Sequence, residues 1–163
     1  MIFKVDVEKF YESPTFKRTA SNKYGRDGVK GEIGEKIFCD YFESLGFKAH
    51  NFADYILPQK AGYDVVLEKN NMFYGFDVKN NLRPDNKIPV EYRSDGWLFN
   101  TNKTSEFISH VCPKTQTIIT YRRKDMQDYI YGYFWDYISN EDYLFIELNE
   151  YEKVKIKTFN YKK

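Results

Sequence analysis

Asp64, Asp77 and Lys79 are the residues of this sequence whose types and spacing are best suited to chemistry. They lie within Tyr63–Asn81, read as Y-D-V-V-L-E-K-N-N-M-F-Y-G-F-D-V-K-N-N. Two runs rich in β-branched and aromatic residues, Tyr63–Leu67 and Phe73–Val78, are separated there by the polar group Glu68–Met72, which predicts a hairpin. Side chains alternate across a strand, so Asp77 and Lys79 share one face while Phe76 and Val78 point to the other. Paired strands lie about 5 Å apart, so an Asp64 level with Asp77 brings the two carboxylates within several Å of each other. Like charges that close call for a positive partner. A magnesium ion suits the position, because it is hard and takes one or two carboxylates together with waters and phosphate oxygens. Lys79 would stand beside it, placed to orient an attacking water or to offset charge growing on a phosphate. The competing reading is a solvated ion pair on a surface strand. The same spacing recurs at Asp85 and Lys87, but between Pro84 and Pro89, where a regular ladder is disfavoured.

A helix is expected just upstream. In G-E-I-G-E-K-I-F-C-D-Y-F-E-S-L-G, from Gly31, the residues Ile33, Ile37, Phe38, Tyr41, Phe42 and Leu45 recur at helical spacing, and Gly46 follows as a stop. Gly34 falls inside the apolar arc, where glycine costs about 1 kcal/mol against alanine, so a close approach of helix to sheet is implied. Glu32 points away from the arc. Glu35 lies at its margin and is the acid able to reach toward Asp64 and Asp77, unless it pairs with Lys30 or Lys36. The polar stretch Ser21–Lys30 reads as a loop leading into this helix.

Around that unit, Phe47–Phe52 reads as a first strand and Ala53–Gly62 as a loop. Leu82–Lys87 reads as a turn, Ile88–Tyr92 as a strand and Ser94–Gly96 as another turn. Trp97, Leu98 and Phe99 suit a core better than a base-stacking platform, and Lys103 in the polar run Asn100–Ser105 is a candidate phosphate contact. Phe107–Cys112 and Gln116–Tyr121 read as strands. Arg122–Tyr131 has helical spacing, with Arg122, Arg123 and Lys124 at its start, where cations oppose the helix dipole and so could serve a phosphate backbone; a solvated charge cluster is the alternative. Tyr143–Leu148 and Lys153–Phe159 suggest a final hairpin, with Lys153, Lys155 and Lys157 on the wet side of an edge strand. Met1–Lys17 reads as an edge strand or a loose arm.

At 163 residues the chain is expected to form one domain, with its core at about 27–131 and the hairpin at 143–159. The net charge of +1 provides no global field to draw in a polyanion, so any nucleic-acid face must come from local clustering. Cys39 and Cys112 stand far apart without metal-ligand spacing, which argues against zinc and for free thiols in a reducing compartment. The first ten residues carry acids, and no apolar run approaches the about 20 residues that span a bilayer. A soluble, cytoplasmic protein without membrane partners is expected. His110 and His50 read as satisfied strand histidines rather than general bases. The sequence offers no Gly-rich phosphate loop and no serine or cysteine elbow.

An acid on a first helix, an aspartate entering a strand, and acid-x-lysine closing the next strand together resemble the PD-(D/E)xK nuclease superfamily. The matching residues are Glu35 in G-E-I-G-E, Asp64 in G-Y-D-V-V, and Asp77 with Lys79 in F-D-V-K; Tyr63 stands where the family name has proline. The resemblance covers about Gly31 to Val111, since W-L-F-N-T-N-K-T-S-E-F-I-S-H-V is also similar to small members, many of them phage-encoded. It implies an α/β restriction-endonuclease-like core, a mixed central β-sheet flanked by helices. It further implies that Asp64, Asp77, Glu35 and the Val78 carbonyl hold Mg2+, with Mn2+ able to substitute, while Lys79 assists phosphodiester hydrolysis. The implied partner is DNA, with RNA left open, and the implied activity an endonuclease in the cytoplasm, or the host cytoplasm for a phage protein. Two alternatives are a structure-specific, junction-resolvase-like enzyme, generally a homodimer, and a non-catalytic nucleic-acid- or protein-binding module on the same fold.

Overall fold

The computed structural model describes residues 5–16, 25–85, 87–133, 144–147 and 153–162. The chain begins with α1 (Val7–Tyr11), the long α2 (Gly25–Ser44), β1 (Lys48–Asn51) and α3 (Ile56–Lys60). It continues through β2 (Val65–Lys69), β3 (Met72–Asn80), β4 (Ile88–Val90), β5 (Phe107–Cys112), β6 (Thr117–Arg122) and α4 (Arg123–Tyr133), then β7 (Leu144–Ile146) and β8 (Lys157–Asn160). Six strands form one sheet in the order β1-β2-β3-β5-β6-β8. Only the β3–β5 pair is parallel within it. This is the expected mixed sheet flanked by helices. Among the described residues, no helix is long and apolar enough to cross a membrane.

The hairpin at the centre is tighter than its polar segment suggests. Lys69 pairs with Met72, leaving only Asn70 and Asn71 in the turn, both left-handed at φ 53° and 60°. Asparagine tolerates that conformation, and a two-residue turn of this kind matches the twist of the flanking strands. It therefore fixes the β2–β3 register.

The helix α2 starts at Gly25 rather than Gly31, so Gly25–Lys30, read as loop, is helical. Its end follows the local sequence: Gly46 adopts φ 86° and donates to Glu43 O, while Phe47 N donates to Phe42 O at 3.1 Å. Phe47 and Phe42 rings then meet at 5.7 Å, completing a Schellman cap with its apolar contact. Phe38 and Phe42 pack on Val65, Leu67, Phe76 and Val78 of the sheet. Ile33 and Leu45, counted in the same arc, are exposed.

The opposite face of the sheet is covered by α4 and a small two-stranded sheet of β4 and β7. Ile108, Ile119 and Tyr121 from the strands meet Met126 and Ile130 of α4 and Ile88, Val90 and Ile146 of the small sheet. This overturns the expected C-terminal hairpin. Ile146 pairs with Ile88, and β8 instead extends the main sheet beside β6, because the apolar residues of each short segment are used against different parts of the core. Lys153 and Lys155 lie outside the edge strand, while Tyr143 and Leu148 fall outside the described residues. The amino-terminal segment is also corrected. Where described it is helix α1, capped by Asp6 and packed through Phe10 and Tyr11 onto Phe52, with ring centroids at 5.3 and 4.7 Å.

Gly34 makes the close approach its position implies: a Cβ there would sit 2.9 Å from Asn80 Cβ. Gly34→Ala should lower unfolding stability in urea by roughly 1–3 kcal/mol, despite the about 1 kcal/mol that alanine gains in helix propensity. A variant as stable as wild type would show that helix and strand are not in contact there.

Candidate active site

Pairing of β2 with β3 stops at Val65 opposite Phe76, but β3 runs on to Asn80 against β5. Asp64 stands just before β2, its N–H donating to Phe76 O at 2.9 Å, and Asp77 follows Phe76 on β3. Past that point, among the described residues, no strand pairs with the β2-facing edge of β3. The Asp64 side chain takes the vacant place, with Oδ2 accepting the Val78 N–H at 2.8 Å. Because a strand residue sends its N–H and C=O to the same side, the Val78 carbonyl faces that opening too.

The other Asp64 oxygen accepts from Gln59 Nε2 at 2.7 Å, and Gln59 is itself steadied by the Tyr63 carbonyl at 3.0 Å. Asp77 is buried, with Lys79 Nζ 2.8 Å from Oδ1 and the Arg123 guanidinium 3.8 Å from Oδ2. The Lys79 contact is an ion pair without hydrogen-bond alignment, so Oδ1 accepts no directed bond. Lys79 also lies 5.5 Å from the centre of the Trp97 ring. Asp64, Asp77 and Lys79 line a cavity of about 290 Å³ whose far wall includes Arg93, Trp97 and Lys103.

Electrostatics follow from this crowding. Burial, then the neighbouring Asp77 charge, pushes the Asp64 carboxyl up to about 6. Burial alone would lower the Lys79 pKa, but Asp77 and Asp64 outweigh it and hold it above its ordinary value. Lys79 is therefore an ammonium at neutral pH. His110, beside Lys79 in the β3–β5 register, is pushed down to about 3 by burial and by Lys79, and its Nε2 lies 2.7 Å from the Tyr121 hydroxyl.

Among the described residues, no three His, Cys, Asp or Glu side chains gather as a metal cluster. The donors that do meet are two carboxylates, one with a buried oxygen lacking a directed bond, and a strand carbonyl. An all-oxygen set of this kind fits a hard cation whose remaining positions go to water and phosphate.

The structure brings Asp64, Asp77, Val78 and Lys79 together. Glu35 is buried on α2, which packs against Phe76 and Val78, the face of β3 opposite Asp77; its neighbour Gly34 abuts Asn80 at the strand end. Lys103 reaches the cavity and donates to the Gln59 carbonyl at 2.9 Å. The three cations expected at a helix start separate, and Arg122 is the last residue of β6, paired with Phe107, rather than part of α4. Arg122 is exposed, pairing with Glu106 at 3.5 Å, and Lys124 is exposed, pairing with Asp128 at 2.7 Å. Arg123 is buried, which corrects its assignment as a phosphate contact: its guanidinium is enclosed by loop carbonyls. Gln59 and Arg93 were not anticipated. Neither carries a local signal: Gln59 comes from the short helix α3, in a stretch read as loop, and Arg93 from the loop after β4.

No family model matches the sequence, and no curated protein matches it. The structure is similar to that of the bacterial homing endonuclease I-Ssp6803I, with 12% identity, a TM-score of 0.47 and 73% of each chain covered. It is also similar to Hjc, a Holliday junction resolvase from the archaeal hyperthermophile Archaeoglobus fulgidus, with 14% identity, a TM-score of 0.47, and 75% of this chain and 92% of that one covered.

A folded-state pKa above the ordinary 3.8 means that the native protein holds the Asp64 proton more tightly than the unfolded chain does. This contribution to stability is full below the unfolded value and is lost as pH rises through about 6. In metal-free protein, the Asp64 carboxyl followed by 13C NMR should titrate near pH 6, and Asp77→Asn should move its midpoint down. A midpoint at the ordinary value, or one indifferent to Asp77, would show that the carboxylates are not coupled.

Proposed function

We propose that the chain is a divalent-metal-dependent nuclease of the PD-(D/E)xK type that hydrolyses DNA phosphodiester bonds as an endonuclease. The observation that carries this reading is that Asp64, at the head of β2, and Asp77 line one cavity, with Lys79 2.8 Å from Asp77. Asp64, Asp77 and the Val78 carbonyl would hold Mg2+, or Mn2+ in its place. Glu35, buried on α2 and outside the cavity lining, would complete the metal shell or accept a hydrogen bond from metal-bound water from the helix side. The cation, when bound, would supply Lewis-acid stabilisation of the charge that builds on the phosphate oxygens.

The remaining work falls to this chain's own side chains. Held as an ammonium, Lys79 cannot take a proton at neutral pH, so its part is to donate hydrogen bonds to the attacking water or to a phosphate oxygen. Gln59 fixes one Asp64 oxygen and the Val78 N–H fixes the other, which keeps the carboxylate from rotating. Lys103, half-buried on the cavity wall, is the cation best placed to meet a neighbouring phosphate.

Asp77→Asn and Lys79→Ala should each reduce cleavage of plasmid DNA in Mg2+ or Mn2+ by on the order of 10²-fold or more, with circular dichroism and DNA binding largely retained. Turnover like that of wild type in either variant would refute the assignment. Calorimetry with Mn2+ separates the non-catalytic alternative, which requires no metal uptake dependent on Asp64 and Asp77.

A further inference from the structure

Arg123 has the densest set of polar contacts around the site, and the reaction as described leaves it unused. Its side chain is buried beneath the cavity. Nε donates to Ser105 O at 2.9 Å, Nη2 to Ser105 Oγ at 2.8 Å, and Nη1 to Leu98 O at 3.4 Å and also to Trp97 O. The same guanidinium faces Asp77 Oδ2 at 3.8 Å. A buried guanidinium is expensive to desolvate, and fastening loop carbonyls does not require a charge. Gln127 does that work already, donating to Leu98 O at 2.7 Å. What a neutral side chain could not supply is the approach of a second cation to Asp77.

We infer that Arg123 is a positioning residue which fixes Asp77 against the Trp97–Ser105 wall and keeps the metal-free site electrically neutral, so that a divalent cation binds strongly only together with a substrate phosphate. The inner site sets the two acids Asp64 and Asp77 against two basic side chains, with Lys79 2.8 Å and Arg123 3.8 Å from the Asp77 carboxylate. Further out, the lining adds Glu91 and Asp95 against Arg93 and Lys103, and Arg93 pairs with Asp95 at 3.1 Å. A dication entering this site leaves an excess of two positive charges, which Lys79 and Arg123 resist at short range. A phosphodiester removes part of that excess. Metal and substrate therefore raise each other's affinity, and by linkage they do so equally.

The inference rests on the nuclease reading of the same site, and Mn2+ titration calorimetry on the full chain tests the two apart. Arg123→Gln should bind Mn2+ alone roughly tenfold more tightly than wild type, whereas Arg123→Lys, which keeps the charge, should stay within about threefold of it. Gln127→Ala loosens the same wall without changing charge and should leave Mn2+ affinity where it was. A folded Arg123→Gln that binds Mn2+ no better than wild type, or a Gln127→Ala that shifts affinity to the same extent, would overturn the inference. Should Arg123→Gln fail to fold, wild type decides the matter. Its Mn2+ affinity should rise by roughly tenfold on a DNA duplex with phosphorothioate linkages, which keep their charge and resist hydrolysis; equal affinity with and without that duplex would overturn the proposal. Absence of Mn2+ binding under both conditions would instead reject the nuclease reading itself.

Discussion

The site depends on a mismatch in strand length. Pairing of β2 and β3 ends at Val65 and Phe76, while β3 continues against β5 to Asn80. A strand edge left bare inside a folded chain exposes N–H and C=O groups that must find partners. Here the Asp64 carboxylate takes the Val78 N–H in place of a strand, and the Val78 carbonyl is left facing the same opening. One geometric device thus sets an acid beside Asp77 and presents a neutral oxygen next to both. The register behind it is held by the two-residue turn at Asn70 and Asn71. A slip of one residue would send Asp77 and Lys79 to the apolar face under α2 and turn Phe76 and Val78 toward the cavity.

The layers on either side divide the work. On the α2 face, packing is apolar and aromatic, with Phe38 and Phe42 against each other and against Phe76, and Phe76 stacked on Phe107. On the α4 face, the packing carries polar connections that end at the site. Gly75 illustrates how the two are joined. A Cβ there would lie 2.2 Å from the Tyr63 ring, so glycine is what lets Tyr63 lie across the hairpin and donate its hydroxyl to Thr104 O at 3.2 Å. The turn that delivers Asp64 is thereby tied to the loop that forms the opposite cavity wall.

Much of this was readable from local pattern. Alternation placed Asp77 and Lys79 on one face, β-propensity placed the hairpin, and helical spacing picked out Phe38 and Phe42 as the buried ridge of α2. Pairing between distant segments was not readable. Nothing in Leu144–Ile146 says that its partner is β4 rather than β8, because three-residue strands carry too little pattern to specify a neighbour. Ile33 shows the limit from the other side, since an apolar residue within a helical arc is buried only where the sheet extends far enough beneath it. Arg123 is the instructive miss. In R-R-K each cation looks alike, yet Arg123 lies three residues before Met126 and seven before Ile130, on the apolar side of α4, while Arg122 ends β6 and Lys124 is exposed. Read by helical phase instead of by charge, the triplet separates one buried arginine from two solvated cations.

The neutrality of His110 belongs to the same arrangement. It sits beside Lys79 across the β3–β5 pair, enclosed by Trp97 at 5.8 Å and by Tyr121. A protonated imidazole there would add a third cation to the two already serving Asp64 and Asp77, in a place where water cannot screen it. Burial and the Lys79 charge both act against that state, and the pKa near 3 follows from them. Lys79 keeps its own proton because its two carboxylate neighbours outweigh the same burial. Two basic side chains on one rung are thus driven to opposite protonation states by how near each stands to the acids, which leaves Lys79 as a charged group on the cavity wall and His110 as a neutral one behind it.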